Sequence, residues 1–309
     1  MPSFVAGYRI IGRAEPAASA LAAYLCRAPE HLGLVDQVLL SELTECSPRW
    51  TEITDTLRRL GAVTTDHLLI LYEVLAVEAS SNVFLASEAY TEGTLESTSP
   101  SLEPREKALA VAAAARGAHD LHEAGIAHGS ISPKAIFLTT RGPLLGPPDL
   151  VSPPGRVTGS APGAVLNCVD PALLRGEEPS RASDIWSLGA SLHLALSAEP
   201  LYPGLFDDAP VIAVQRVLYS RPRLDPRMPA PLLDIVRACF AADPAKRPST
   251  AIAVAGAIES HQWPDPVLKR DDAEASGHGG SAAFRSSELR SGTEGVRSES
   301  DAAERAGSA

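Results

Sequence analysis

The sequence predicts an α+β chain in two lobes. A small β-rich lobe with one main helix covers residues 1–95, a larger and mostly helical lobe covers 96–265, and a disordered tail covers 266–309. Three observations predict this. Short β-branched and leucine-rich runs fall in the first third, and alanine- and leucine-spaced helical patterns fill the middle. After Trp263 large apolar side chains thin out to Val267, Leu268, Phe284, Leu289 and Val296, too few to offset the entropy of ordering the segment.

Taken in order, residues 34–40 (LVDQVLL), 67–74 (HLLILYEV) and 82–89 (NVFLASEA) suit buried strands. Between the first two, Pro48 to Leu60 sets Trp50, Ile53, Leu57 and Leu60 on one helical face. The second lobe opens as a helix at about residue 103: Pro104 is tolerated in a first turn, and Gly125 supplies a left-handed stop. A further helix runs over Ser183–Ser197, capped by Ser180, with Ile185, Leu188, Leu192 and Leu196 at three- and four-residue steps. Others are expected over 209–219, 230–241 and 249–260, the last with the Ser249 and Thr250 hydroxyls placed to satisfy free amides. No repeat of fixed period is present.

Composition narrows the function. A hydrophobic content of 45% can fill a core, and a net charge of −11 opposes nonspecific attraction to nucleic acid or anionic lipid. The four cysteines, Cys26, Cys46, Cys168 and Cys239, form no C-x-x-C pair and read as scattered buried thiols. The first residues lack the basic and apolar regions of a signal peptide. No run reaches the roughly 18–20 apolar residues of a membrane span, so a soluble, cytoplasmic protein is expected.

Leu121 to Leu138, LHEAGIAHGSISPKAIFL, follows a long helix and ends in a short apolar strand. It resembles the catalytic-loop segment of protein kinases, in which a helix leads into H-R-D-x-x-x-x-N. Here His128-Gly129-Ser130 has no aspartate, and Ala135 stands where the asparagine would be. The resemblance makes Ser130 the counterpart of a catalytic base and Ala135 that of a metal ligand. A serine is no base near neutral pH, and a methyl group offers a hard cation nothing.

Other segments carry the same resemblance. Ser183 to Gly189, SDIWSLG, is similar to the helix start whose acid braces the catalytic loop, which makes Asp184 that acid. Asp243 to Pro248, DPAKRP, resembles the segment whose arginine closes the helical lobe, here Arg247, and His128 completes the retained structural positions. Tyr8 to Arg13 resembles the opening strand, and Phe84 to Leu95 the segment linking the lobes, with Glu88 and Ala89 beside an adenine pocket. After Gly12 the glycine-rich phosphate loop is missing, and Gln37 stands in for the strand lysine. The lysine's helix partner corresponds to Glu52 or Asp55. The metal-binding Asp-Phe-Gly falls at Gly146 to Val151, where Asp149 is a doubtful remnant. At the family's Ala-Pro-Glu the chain reads Asp170-Pro171-Ala172, so Asp170, Glu177 or Glu178 is expected to replace the lost carboxylate as partner of Arg247.

The resemblance, to the bacterial branch of serine/threonine kinases, implies a two-lobed kinase-like fold with a degenerate ATP site: a pseudokinase. It would act as a binding or allosteric module in serine/threonine-kinase signalling. No cofactor is expected. The implied partner is a protein, such as an active serine/threonine kinase or a signalling complex, with no nucleic acid and no membrane span. Ser286, Ser287, Thr293 and Ser298, near arginines, are candidate phosphate acceptors in the tail. Two alternatives stay open: a divergent kinase or nucleotide-dependent transferase using ATP and Mg with Gln37, Asp149 and Ser130 in unorthodox roles, and a structural subunit that binds no nucleotide.

Overall fold

Six strands pair into one antiparallel sheet in the order β1-β2-β3-β4-β6-β5. They are β1 (Phe4–Val5), β2 (Tyr8–Ala14), β3 (Ala22–Arg27), β4 (Gln37–Thr44), β5 (Leu71–Ala76) and β6 (Asn82–Glu88). The computed structural model describes residues 4–5, 7–14, 22–33, 36–44, 50–63, 65–76, 82–90, 92–148, 166–197, 199–205 and 207–263. Residues 1–263 form one compact unit. The expected tail over 266–309, with its serines, lies outside the described residues, as do Cys46, Asp149 and the missing phosphate loop after Ala14.

Burial on both faces explains the continuous apolar runs in the central strands. In β4, Val38 and Leu40 join Tyr8, Cys26, Phe84 and Ala86 in one cluster. Alternation sends Leu39 and Ser41 to the other face, where Leu85 of β6 packs toward the helices. The expected strand at 34–40 starts at Gln37 and runs on to Thr44. The expected strand at 67–74 divides. Leu68 makes a parallel bridge to Leu145, and pairing with β6 begins only at Leu71. Strand β3 was not expected from its alanines. Its pairing with both β2 and β4 overrides the weak local preference. Helix α1 (Trp50–Gly61) falls where the periodicity placed it.

Beyond the linker and a short helix α2 (Leu95–Thr98), the chain is helical. Helix α3 (Pro104–Glu123) buries Ala108, Val111, Ala114, Ala115 and Ala118, and these small side chains let α5 (Arg181–Leu196) and α8 (Ala251–Glu259) pack closely on it. The hairpin of β7 (Ile136–Thr139) and β8 (Gly142–Leu145) lies against the same helix. Helix α5 is buried along most of its length, and its serines are satisfied internally. Ser180 caps its start by accepting from Ser183 N at 3.2 Å, and Ser187 Oγ donates to Cys168 O at 2.8 Å. Helices α4 (Pro171–Leu174), α6 (Pro210–Tyr219) and α7 (Ala230–Cys239) complete the lobe. At α8 the expected side-chain cap is absent: Thr250 occupies the N-cap without such a bond.

Cys26, Cys168 and Cys239 are buried free thiols, and burial pushes them up to about 11, 12 and 12. Among the described residues no helix is long and apolar enough to cross a membrane.

Candidate functional site

The candidate site is built from the turn that leaves α3. Gly125 stops the helix at φ +70°, in the left-handed region the sequence assigned to it, and the chain then leads to His128. Asp184, in the first turn of α5 and fully buried, gathers this segment. Its Oδ2 accepts from His128 N at 2.7 Å and its Oδ1 from Gly129 N at 2.7 Å. His122 Nε2 lies 2.8 Å from Oδ2; a carboxylate only accepts, so Nε2 carries the proton. Three donors therefore compensate one buried charge, which would otherwise be costly.

His128 fixes the next turn. Its Nε2 donates to Gly146 O at 3.1 Å, which leaves Nδ1 as an acceptor. Ser130 uses it twice, donating from its backbone N and from Oγ, each at 3.3 Å. The Ser130 hydroxyl is thereby turned inward onto the histidine. Gly129 adopts φ +73°, and a Cβ there would come within 3.0 Å of Pro179. Any larger side chain would be strained in this backbone. Ala135 closes the 3-10 turn Pro133–Ala135. It is buried, and its carbonyl accepts from Gly146 N at 2.8 Å.

The linker is pinned to the helical lobe. Glu88, the last residue of β6, takes two bonds from Arg141 in the β7–β8 turn, Nε to Oε1 at 2.9 Å and Nη2 to Oε2 at 2.5 Å. Beyond half-buried Ala89, the Tyr90 ring lies 4.4 Å from that of Phe137. Leu138 N donates to Gly93 O at 2.9 Å. Gln37 opens β4 opposite Arg27, one residue before the first β4–β6 rung at Val38 and Glu88, and is exposed. Of the two candidate helix acids, Glu52 lies on α1 and Asp55, on the same helix, is exposed.

Arg247 is buried in a second charged node. Its Nη1 donates to Asp170 Oδ2 and, at 2.8 Å, to Ala182 O; its Nε donates to Ala241 O at 3.0 Å. The guanidinium carbon sits 5.1 Å from the Trp186 ring centre. Of the three acids expected to replace the lost carboxylate, Asp170 pairs with Arg247. Its Oδ1 also caps α4 by accepting from Ala172 N at 2.9 Å.

The structure thus brings His128, Ser130, Ala135 and Asp184 together, ties Glu88 to Arg141, and leaves Gln37 at the sheet's end. Sequence reasoning missed His122 and Arg141. His122 did carry a signal, since it continues the buried stripe of Val111, Ala115 and Ala118 as a polar side chain on an apolar face. Arg141 carried none, because its partner lies 53 positions away.

No protein-family model matches the chain. It is 26% identical over 281 residues to the probable serine/threonine-protein kinase PkwA of Thermomonospora curvata, covering 86% of this chain and 36% of that protein. It is 31% identical over 140 residues to the serine/threonine-protein kinase PknK of Mycobacterium tuberculosis, covering 42% of this chain and 12% of that one. The chain therefore spans about a third of the length of the first relative and about an eighth of the second.

Proposed function

We propose that this chain, whose similarity to bacterial serine/threonine kinases supports a place in the protein-kinase superfamily, is a noncatalytic member that works as a binding or allosteric module in serine/threonine-kinase signalling. One observation carries the reading: the loop braced by Asp184 is complete in its backbone bonds, while its two chemical positions hold a hydroxyl engaged by His128 and a buried methyl group. Phosphoryl transfer rests on positioning and charge stabilisation. A scaffold that keeps the positioning and offers neither base nor metal ligand at these two places supports recognition over chemistry. The Glu88–Arg141 contact between the linker and the helical lobe gives an allosteric role a place to act, provided the partner binds differently when that contact is made and when it is broken. The partner this reading calls for is a serine/threonine kinase or its complex.

Thermal-shift titration with ATP and magnesium tests the reading. A ligand at 100 times its dissociation constant stabilises by about 2.7 kcal/mol, and no magnesium-dependent shift is expected. Radiolabel transfer from ATP to the chain or to a substrate that disappears in Ser130→Ala or Asp149→Ala would sink the proposal in favour of a divergent transferase. Added to an active bacterial serine/threonine kinase, the chain is expected to change that kinase's rate. A structural subunit would leave it unmoved.

A further inference from the structure

Helix α6 buries Ala213 and Val217 against the lobe, yet its opposite side is also apolar. Val211 is 69% exposed, Ile212 48% and Tyr219 85%, with exposed Gln215 between them. At helical spacing these four lie along one solvent-facing stripe that carries no charge. Asp207 stands exposed just before the helix, and Arg221 and Arg223 stand exposed just after it.

We propose that this stripe is the contact face of a homodimer in which two copies of α6 pack antiparallel across a two-fold axis at Gln215. The occupant follows from the stripe's own symmetry. An antiparallel pair centred on Gln215 sets Val211 against the Tyr219 of the second copy, and Ile212 against its Leu218. The same register carries the acidic end of each helix to the basic end of the other, Asp207 toward Arg223. The one carboxamide of the stripe meets itself, and a carboxamide can both donate to and accept from its own copy. A parallel pairing would oppose like charges, and a register shift would set each amide against an apolar side chain. The patch is on the order of a few hundred Å² per copy, so the dimer is weak and reversible. This inference does not depend on whether the cleft binds nucleotide.

Sedimentation of the full chain over a range of concentrations should show a monomer–dimer equilibrium. Val211→Lys with Tyr219→Lys should abolish the dimer and leave the circular-dichroism melting curve in place. Asp207→Arg should weaken association about tenfold, and adding Arg223→Asp to the same chain should restore it. Under oxidation Gln215→Cys should cross-link two copies far faster than Gln262→Cys, an exposed position after α8. A wild-type chain that stays monomeric at its highest soluble concentration would overturn the proposal. So would a dimer indifferent to the double lysine variant, or equal cross-linking at the two cysteine positions.

Discussion

Asp184 and Glu88 anchor the two sides of the candidate site under opposite conditions. Asp184 is fully buried and holds three donors from the loop and from α3, while the Glu88 side chain keeps 15% exposure and meets one arginine that is 34% exposed, with a long bond from Ile70 N at 3.4 Å beside it. A buried charge with several partners commits the surrounding backbone to one arrangement, because any alternative strands the charge or its donors. A half-exposed ion pair commits much less, since water can replace either partner. The loop is therefore committed more firmly by Asp184 than the linker is by Glu88.

The sharpest way to break this comparison is to remove the buried charges. Asp184→Ala leaves His128 N, Gly129 N and His122 Nε2 without their acceptor and should cost about 3–5 kcal/mol in urea unfolding. Arg247→Met should cost a similar amount by leaving the buried Asp170 carboxylate without its cation, and adding Asp170→Leu should recover part of the loss. An Asp184→Ala chain as stable as the wild type would end the claim that this node is structural.

A smaller effect tests whether the position of α5 matters to the node it carries. A Cβ on Gly189 would come within 2.5 Å of Cys239 Cβ, so Gly189→Ala should push α5 from α7 at a cost of about 1–3 kcal/mol, read as a lowered unfolding midpoint.

Next comes pH. Burial holds the His193 imidazole below its usual range, with Asp225 opposing, and its Nε2 accepts from Asp225 N at 3.0 Å. Below about pH 6.5 the unfolded chain binds the extra proton and the folded chain resists it. Stability should therefore fall as pH drops, by at most about 1.4 kcal/mol per pH unit from this group. His193→Gln, which keeps an acceptor without titrating, should flatten that slope. At the alkaline end the three buried thiols retain protons that the unfolded chain loses above about 9, so stability should also decline from about pH 9 toward 12. The smallest expected change is Arg141→Ala, about 0–1 kcal/mol in global stability. Faster amide exchange at Ala89 to Gly93 with no loss of global stability would sharpen the contrast between linker and loop.

Much of the helical lobe was legible because its signals are local. Gly125 stops α3 and Ser180 caps α5 through contacts within a turn or two, and the apolar spacing of α5 needs no distant partner to be read. The sheet was less legible. The strand at β3 depends on pairing with β2 and β4, and its alanines say little in isolation. In the site, the residue identities at 128–135 were plain in the sequence, as was the expectation that an acid near 170–178 would serve Arg247. The choice of Asp170 over Glu177 and Glu178 was not, since it required knowing which carboxylate comes within reach of the guanidinium.

By itself, then, the sequence determined which chemical groups the loop possesses and where its helices start and stop, since both are properties of residues and their near neighbours. Only the tertiary structure decided that Asp184 serves His122 as well as the loop, that Arg141 pins the linker at Glu88, and that α6 turns an apolar stripe outward. Those outcomes are choices among many distant partners of similar chemistry. Packing of the whole chain settles them, because only there do burial and distance determine which pair can form.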